Sequence, residues 1–555
     1  MVQTEKKEKK EKAEKTEKAK KTEKKGKISI ERAKFPEEVG VSSKAIAAFI
    51  KDLNESDIEA HSLMILRRGK VAFERWAKPL GPEIPHIMYS VSKSITATAV
   101  GFAIEEGLLS LETKLLDIFP EHRSDKKLDE NLEKLNVFHL LTMTAGKDVP
   151  TFSDKSKNRW VEDFFDAGWA FAPGEFWRYI SENTFMLSAM LHRLTGMSMS
   201  DYLTPRLYEP LGFGRLPFWE KDGYGIDAGG WGLYLTTEEL AKVMLCYQQG
   251  GVFNGRQVIP ERWAKEAGKK QVENLQYDDA SSTAGYGYGF WRNPVPNSYR
   301  ADGLFSQFSI VFEDYDACLI MTSCEIFEDK ARDCLWRHFP GVFTELSSKS
   351  PENKVATEQL ELKSLPSLAA RPHSRLEDTI NGKTLKIYPY HLLEKAGLPV
   401  SMVMAPVLKL NFEPLNDIRE VRFRFSGDVC EMTWREGKFK NTIECGMDGK
   451  PRFNKIRLSQ FNFTACSTAA WENENTLSLW MRPLEAIGQR RIRFVFSGDR
   501  VTIYPAGIPD GESAMKYLSG FVEFFVTPPV VAKAVKLVLS KGDKIIEPTH
   551  IGRLE

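Results

Sequence analysis

The sequence predicts an α+β chain in which helices flank an antiparallel sheet that carries an inserted all-helical lobe. A C-terminal antiparallel β-barrel or sandwich follows. Three observations predict it. Residues 62–76 (SLMILRRGKVAFERW) and 307–324 (SQFSIVFEDYDACLIMTSC begins one residue earlier) are strand-like runs separated by more than 200 mostly helical residues. Beyond residue 375 the β signals dominate, and the pattern F-x-F-S-G-D occurs twice, at Phe423–Asp428 and Phe494–Asp499. Finally, 555 residues are too many for one hydrophobic core.

In chain order, residues 1–27 come first and hold 12 Lys and 6 Glu, a charge of +6, with almost nothing apolar. They read as a solvated tail. The whole chain is nominally +1, so the remaining residues, 65 basic and 70 acidic, carry −5. A mildly acidic body argues against nucleic acid and against an anionic membrane surface as partners. Ser42 or Ser43 caps a helix whose apolar face is Ile46, Phe49, Ile50 and Leu53. Residues 62–76 form a hairpin turning at Arg68-Gly69-Lys70. Residues 94–109 form an Ala-rich helix apolar on nearly every side, hence buried. Helices and loops alternate to about residue 270, strands return near 288–324, and KARDCLWRHF (330–339) closes the unit as a helix. Residues 346–375, rich in Ser, Pro and charge, read as a linker. The expected division is a tail (1–27), a catalytic unit (28–345), a linker (346–375) and a β-rich unit (376–555).

No apolar leader and no run of about 18 apolar residues is seen, so neither a signal peptide nor a membrane span is expected. The seven cysteines are scattered without a C-x-x-C pair, which points to a reduced, cytoplasmic setting. Phosphate-loop, dinucleotide, zinc-protease and G-x-S-x-G signatures are missing, so no metal or cofactor is expected.

One chemical constellation remains. Ser90-Val91-Ser92-Lys93 is an S-x-x-K placed where a loop enters the buried helix. Three-residue spacing sets hydroxyl and amine on one helix face, and the helix start favours an alkoxide. A lysine can act as base if burial lowers its pKa, and moving it from about 10.4 to about 7 costs roughly 4–5 kcal/mol. The apolar helix supplies dry surroundings. S-x-x-K also occurs at Ser124 and Ser513, but only Ser90 precedes a buried helix.

The segment YSVSKSITATAVGFAIEEGLL resembles the active-site helix of the serine β-lactamase and penicillin-recognising superfamily. That superfamily includes class C-like esterases, D-aminopeptidases and 6-aminohexanoate-dimer hydrolases. LLTMTAG (140–146), PGEFWRYISENTFMLSAMLHRLTG (173–196), DYLTPRLYEPLGF (201–213) and the stretch from Gly229 to Pro260 resemble further blocks in the same order. The likeness spans roughly residues 40–340. It implies Ser90 as acylated nucleophile, Lys93 as base or proton relay, Tyr179 as phenolic proton carrier, and Ser181 as a group orienting substrate or the amine. The third box departs from K-T-G or H-T-G: Arg300-Ala301-Asp302-Gly303 stands in its place, with Arg300, Asp302 and Gly303 as substrate-supporting candidates. The oxyanion N–H that this strand would supply survives any side chain. What is lost is the cation and hydroxyl that grip a carboxylate, so esterase or amidase activity is favoured over β-lactamase or transpeptidase activity. STAAW (467–471) and TLSLWMRP resemble the small β-barrels appended to D-aminopeptidase-like hydrolases.

The expected function is therefore a serine hydrolase cleaving a small ester, amide or short peptide through an acyl-enzyme. A catalytically silent scaffold, and a D-peptidase or β-lactamase, stand as rivals. A homodimer mediated by the β-rich unit is left open.

Overall fold

The computed structural model describes residues 28–123, 129–148, 159–275, 281–345, 356–388, 418–436, 439–458, 461–508 and 549–555, with Asp510 and Ser513 besides. The charged tail, linker residues 346–355, the competing Ser124 and the strand signal at 521–528 lie outside the described residues.

The first unit is built on a six-stranded antiparallel sheet. Its order is Trp291–Arg292, Ser298–Gly303, Gln307–Phe312, Ala317–Ser323, Ala60–Arg67, Lys70–Trp76. The hairpin turns at Arg68 (φ 53°) and Gly69 (φ 77°), two left-handed residues whose twist matches that of the flanking strands. Two-residue alternation divides the side chains between two cores. Leu63, Ile65, Ile310, Phe312 and Leu319 face the helices Ser43–Glu55 and Glu328–His338. Met64, Leu66, Val311, Cys318 and Ile320 face the helix Thr237–Gln248 and the inserted lobe. The Ser43–Glu55 helix starts where expected, with the Ser42 hydroxyl accepting from the Ala45 N–H.

The lobe is centred on the helix Ser92–Glu105, buried at every position from Ser92 to Ala103. Gly101 has to be glycine for packing: a Cβ there would meet the Trp263 ring at 2.4–2.6 Å. The segment from Arg300 to Gly303, expected just ahead of a strand, is itself part of the strand Ser298–Gly303, paired to Gln307–Phe312 through the left-handed Phe305 and Ser306. Its short run is polar although nearly every position is buried, because Arg300 is satisfied by Asp302, the Ser281 carbonyl and Asn293 rather than by apolar packing.

The second unit settles the expected barrel-or-sandwich choice as a barrel. Nine strands of a ten-stranded sheet close on themselves where Gly446 bridges Thr468. Both Ser-Gly-Asp turns link neighbouring strands: Ile418–Ser426 to Val429–Glu436 and Gln489–Ser497 to Arg500–Ile508. Residues 356–375, within the expected linker, run over both units. Leu362 and Leu365 are buried in the first unit's core, Arg75 donates to the Leu360 carbonyl, and the Leu368 N–H donates to the Thr468 hydroxyl of the barrel. All seven cysteines are buried and unpaired. Among the described residues no helix is long and apolar enough to cross a membrane.

Candidate active site

Ser90 sits in a single 3-10 turn, Tyr89–Val91, that runs directly into the buried helix, so it is half-buried at the helix mouth while Lys93 lies one turn inward. Lys93 is 1% exposed. Its Nζ donates to Ser90 Oγ at 2.9 Å, to Ser181 Oγ at 3.0 Å and to the Gly230 carbonyl at 2.8 Å. Three acceptors fix the three ammonium directions, and once the amine is neutral one of these contacts leaves it a lone pair toward a hydroxyl. Burial lowers the Lys93 pKa to about 7, with the Glu182 carboxylate pulling weakly the other way. The dry environment inferred from the apolar helix is thus present, and the amine sits where neutral and charged forms coexist near physiological pH.

The Tyr179 ring lies 4.8 Å from Lys93 Nζ, at the edge of an aromatic wall. Trp291 is 5.2 Å from it, Trp177 5.9 Å and Tyr286 6.2 Å, centroid to centroid. Ser181 begins the helix Ser181–Thr195, and Tyr179 lies two residues ahead of it in the segment that leads into the helix. Asn183, two residues further on, is buried and donates to the Met143 sulfur at 3.6 Å, so it braces the 140–146 loop.

Gly303 lies against the loop that precedes Ser90, where an added Cβ would be 2.4 Å from the Met88 carbonyl. The end of the Ser298–Gly303 strand therefore runs beside the turn that carries Ser90. Arg300 is 1% exposed and pairs with Asp302 at 2.6 Å. Its Nη1 also donates to the Ser281 carbonyl and to Asn293 Oδ1, each at 2.8 Å, while its guanidinium lies 5.5 Å from the Trp291 ring centre. The structure thus joins Ser90, Lys93 and Ser181 by hydrogen bonds and Tyr179 by its ring. Gly303 abuts the Met88 carbonyl, and Arg300 and Asp302 are engaged with each other.

Two contributors were not singled out from the sequence. Gly230 supplies the carbonyl that anchors Lys93, and it must lack a side chain because a Cβ would come within 2.8 Å of the Ser181 carbonyl. The run Gly229-Gly230-Trp231-Gly232 was the signal available. The second is backbone strain: Tyr89, Met143, Phe305 and Ser306 all hold left-handed φ (45°, 62°, 64° and 64°) around the site. Such residues cost of order 1–3 kcal/mol each and persist only where surrounding structure enforces them.

The family model described as Beta-lactamase matches residues 46–330, just over half of the chain. The chain belongs to the beta-lactamase family. It is 25% identical over 253 residues to a 6-aminohexanoate-dimer hydrolase of Paenarthrobacter ureafaciens, an alignment covering 41% of this chain and 63% of that protein. A beta-lactamase of Pseudomonas fluorescens is 28% identical over 131 residues, covering 22% and 35% respectively. The chain thus spans less than two thirds of the length of the curated relatives it matches. Among solved structures, the octameric penicillin-binding protein homologue from Pyrococcus abyssi aligns at a TM-score of 0.43 and 16% identity, over 83% of this chain and 97% of its own.

Proposed function

We propose that the protein is a serine hydrolase that cleaves a small ester or amide through an acyl-enzyme on Ser90. One observation carries the reading: a lysine amine buried and brought near neutrality by its surroundings, 2.9 Å from a half-exposed serine hydroxyl. In this reading neutral Lys93 takes the Ser90 proton as Oγ attacks the carbonyl. Tyr179 hands a proton to the leaving group, and water, deprotonated by the same pair, then releases the acyl group. The N–H of Ser90 and one at the end of the Ser298–Gly303 strand hold the oxyanion. Metal and cofactor are not required for these steps. Membership of a family whose members include proteins named as hydrolases supports the reaction class.

The third-box segment favours esters and simple amides over β-lactams. Asp302 stands there instead of a hydroxyl-bearing residue, and the segment's own cation, Arg300, is engaged by Asp302, Ser281 and Asn293. The test is fluorophosphonate labelling together with a panel of p-nitrophenyl esters, D-amino-acid amides and nitrocefin, on wild type and Ser90→Ala. Labelling and ester turnover confined to wild type is the expected result. A wild type that is neither labelled nor active across the panel sinks the reading in favour of a silent scaffold, and labelling that persists in Ser90→Ala moves the nucleophile elsewhere.

A further inference from the structure

The barrel touches the first unit at a buried polar chain that ends three residues before Ser90. Arg482, on the barrel strand Thr476–Pro483, has a fully buried side chain, and its Nη2 donates to Glu59 Oε1 at 2.8 Å. Its Nη1 lies 3.3 Å from His61 Nε2, His61 Nδ1 lies 2.8 Å from His86 Nε2, and His86 Nδ1 lies 2.8 Å from the Ile87 carbonyl. Proton counting orients this chain. A carbonyl only accepts, so His86 Nδ1 carries hydrogen. Burial keeps both rings neutral, with the His86 pKa driven down to about 3. Neutral His86 then offers a bare Nε2, which takes its hydrogen from His61 Nδ1. His61 Nε2 is left bare and needs a donor, and Arg482 Nη1 is that donor. It also screens the Glu59 oxygen, which sits 3.0 Å from the same nitrogen and cannot donate when ionised. An unbroken run of polar contacts thus leads from Arg482 and Glu59 through His61 and His86 to the Ile87 carbonyl.

Ile87 is gripped from its other side as well, because its N–H donates to the Glu485 carbonyl of the barrel at 2.8 Å. Apolar contact follows the same line. Ile87, Tyr89 and Phe305 belong to one continuous core with barrel residues Met481 and Ile487, and Tyr234, the strand partner of Ile87, stacks on barrel Phe461 at 4.4 Å. The left-handed Tyr89 is the last residue before Ser90, so the barrel packs against the strained residue that aims the nucleophile.

We propose that the C-terminal barrel is a working part of the hydrolase site, with Arg482 a positioning residue that acts through His61 and His86 to hold the Ile87–Ser90 turn. The proposal rests on Ser90 being the nucleophile. It is tested in the full chain by steady-state ester kinetics and by the rate of Ser90 labelling. Arg482→Met alone strands the half-buried Glu59 carboxylate, so the double variant Glu59→Met/Arg482→Met, which removes both charges and offers His61 no new donor, is measured beside it and checked for folding by near-UV circular dichroism. In the folded double variant kcat and labelling rate fall about tenfold or more while KM stays within about twofold, the pattern of a displaced nucleophile. Arg482→Lys, which keeps a cation on Glu59 and a donor for His61, restores most of the rate. A folded double variant that acylates at the wild-type rate overturns the proposal. So does a loss confined to KM or to the folded fraction. Failure of the wild type itself to be labelled at Ser90 overturns instead the nucleophile assignment beneath it.

Discussion

Lys93 makes a prediction about stability that does not depend on any substrate. In the unfolded chain a lysine stays protonated to about 10.5, whereas folded Lys93 gives up its proton near 7. Between those values the unfolded state binds more protons, so stability rises with pH across the window and is lost as pH falls toward 7. Replacing Lys93 by Met removes this dependence and leaves every other titrating group in place. The substitution also strands the Gly230 carbonyl, at a cost of about 1–3 kcal/mol, but that cost is independent of pH. The slope therefore discriminates and the absolute stability does not. From pH 7 to 9 the wild type should gain about 2 kcal/mol over Lys93→Met, since each pH unit inside the window is worth about 1.4 kcal/mol and the first is only partly realised. From pH 5 to 6 both forms are protonated and the difference should stay flat. Urea unfolding at fixed ionic strength, followed by near-UV circular dichroism, measures both intervals. A difference unchanged between pH 7 and 9 would show that folded Lys93 titrates near its ordinary value, and the neutral-base argument would collapse with it.

The other predictions concern neighbouring groups. If Lys93 is the base, kcat/KM falls about tenfold per pH unit below pH 7; a pH–rate profile flat from 5 to 8 would exclude it. Tyr179→Phe keeps the ring packed on Trp291 but removes the phenol, so kcat drops about 10²–10⁴-fold with an unchanged near-UV spectrum. A drop of less than threefold would remove Tyr179 from proton transfer. Arg300→Met leaves Asp302 buried beside the sheet edge without its 2.6 Å partner, and unfolding free energy should fall by about 3–5 kcal/mol. Gly101→Ala forces a methyl into the Trp263 ring and should cost about 1–3 kcal/mol, read as a lower urea midpoint at unchanged slope.

What could be read from the sequence shares a physical character. The S-x-x-K, the buried helix behind it and the paired strands were legible because each is local: three-residue spacing, all-round apolarity and two-residue alternation are properties of short windows. The burial of Lys93 was legible from the same window, although Tyr179, Ser181 and Gly230 from elsewhere in the chain also close over its amine. Ser181, 88 residues from Lys93, came only through the family resemblance, and nothing in a window marks the Gly230 carbonyl, 137 residues away, as a ligand. The segment from Arg300 to Gly303 hid its strand because its backbone supplies the ladder while its side chains pair with one another.

The boundary between the units shows the same limit from the other side. Composition divides the chain near residues 346–375, yet the contacts that fix Ile87 cross that division, with Arg482 and Glu485 some 400 residues from their targets. A unit whose buried arginine has its carboxylate partner in the other unit has an incomplete interior without it, because an unpaired buried charge costs more than the pair is worth. Arg482, whose side chain is fully buried, meets that condition, while Glu59 keeps part of its surface exposed. A first unit cut at the compositional boundary would therefore keep Ser90, Lys93, Tyr179 and Ser181 while leaving Glu59 and His61 exposed and Ile87 without its two barrel contacts. Sequence composition thus marks where the chain changes character, while the buried hydrogen-bond chain marks how far the contacts of the Ser90 turn extend.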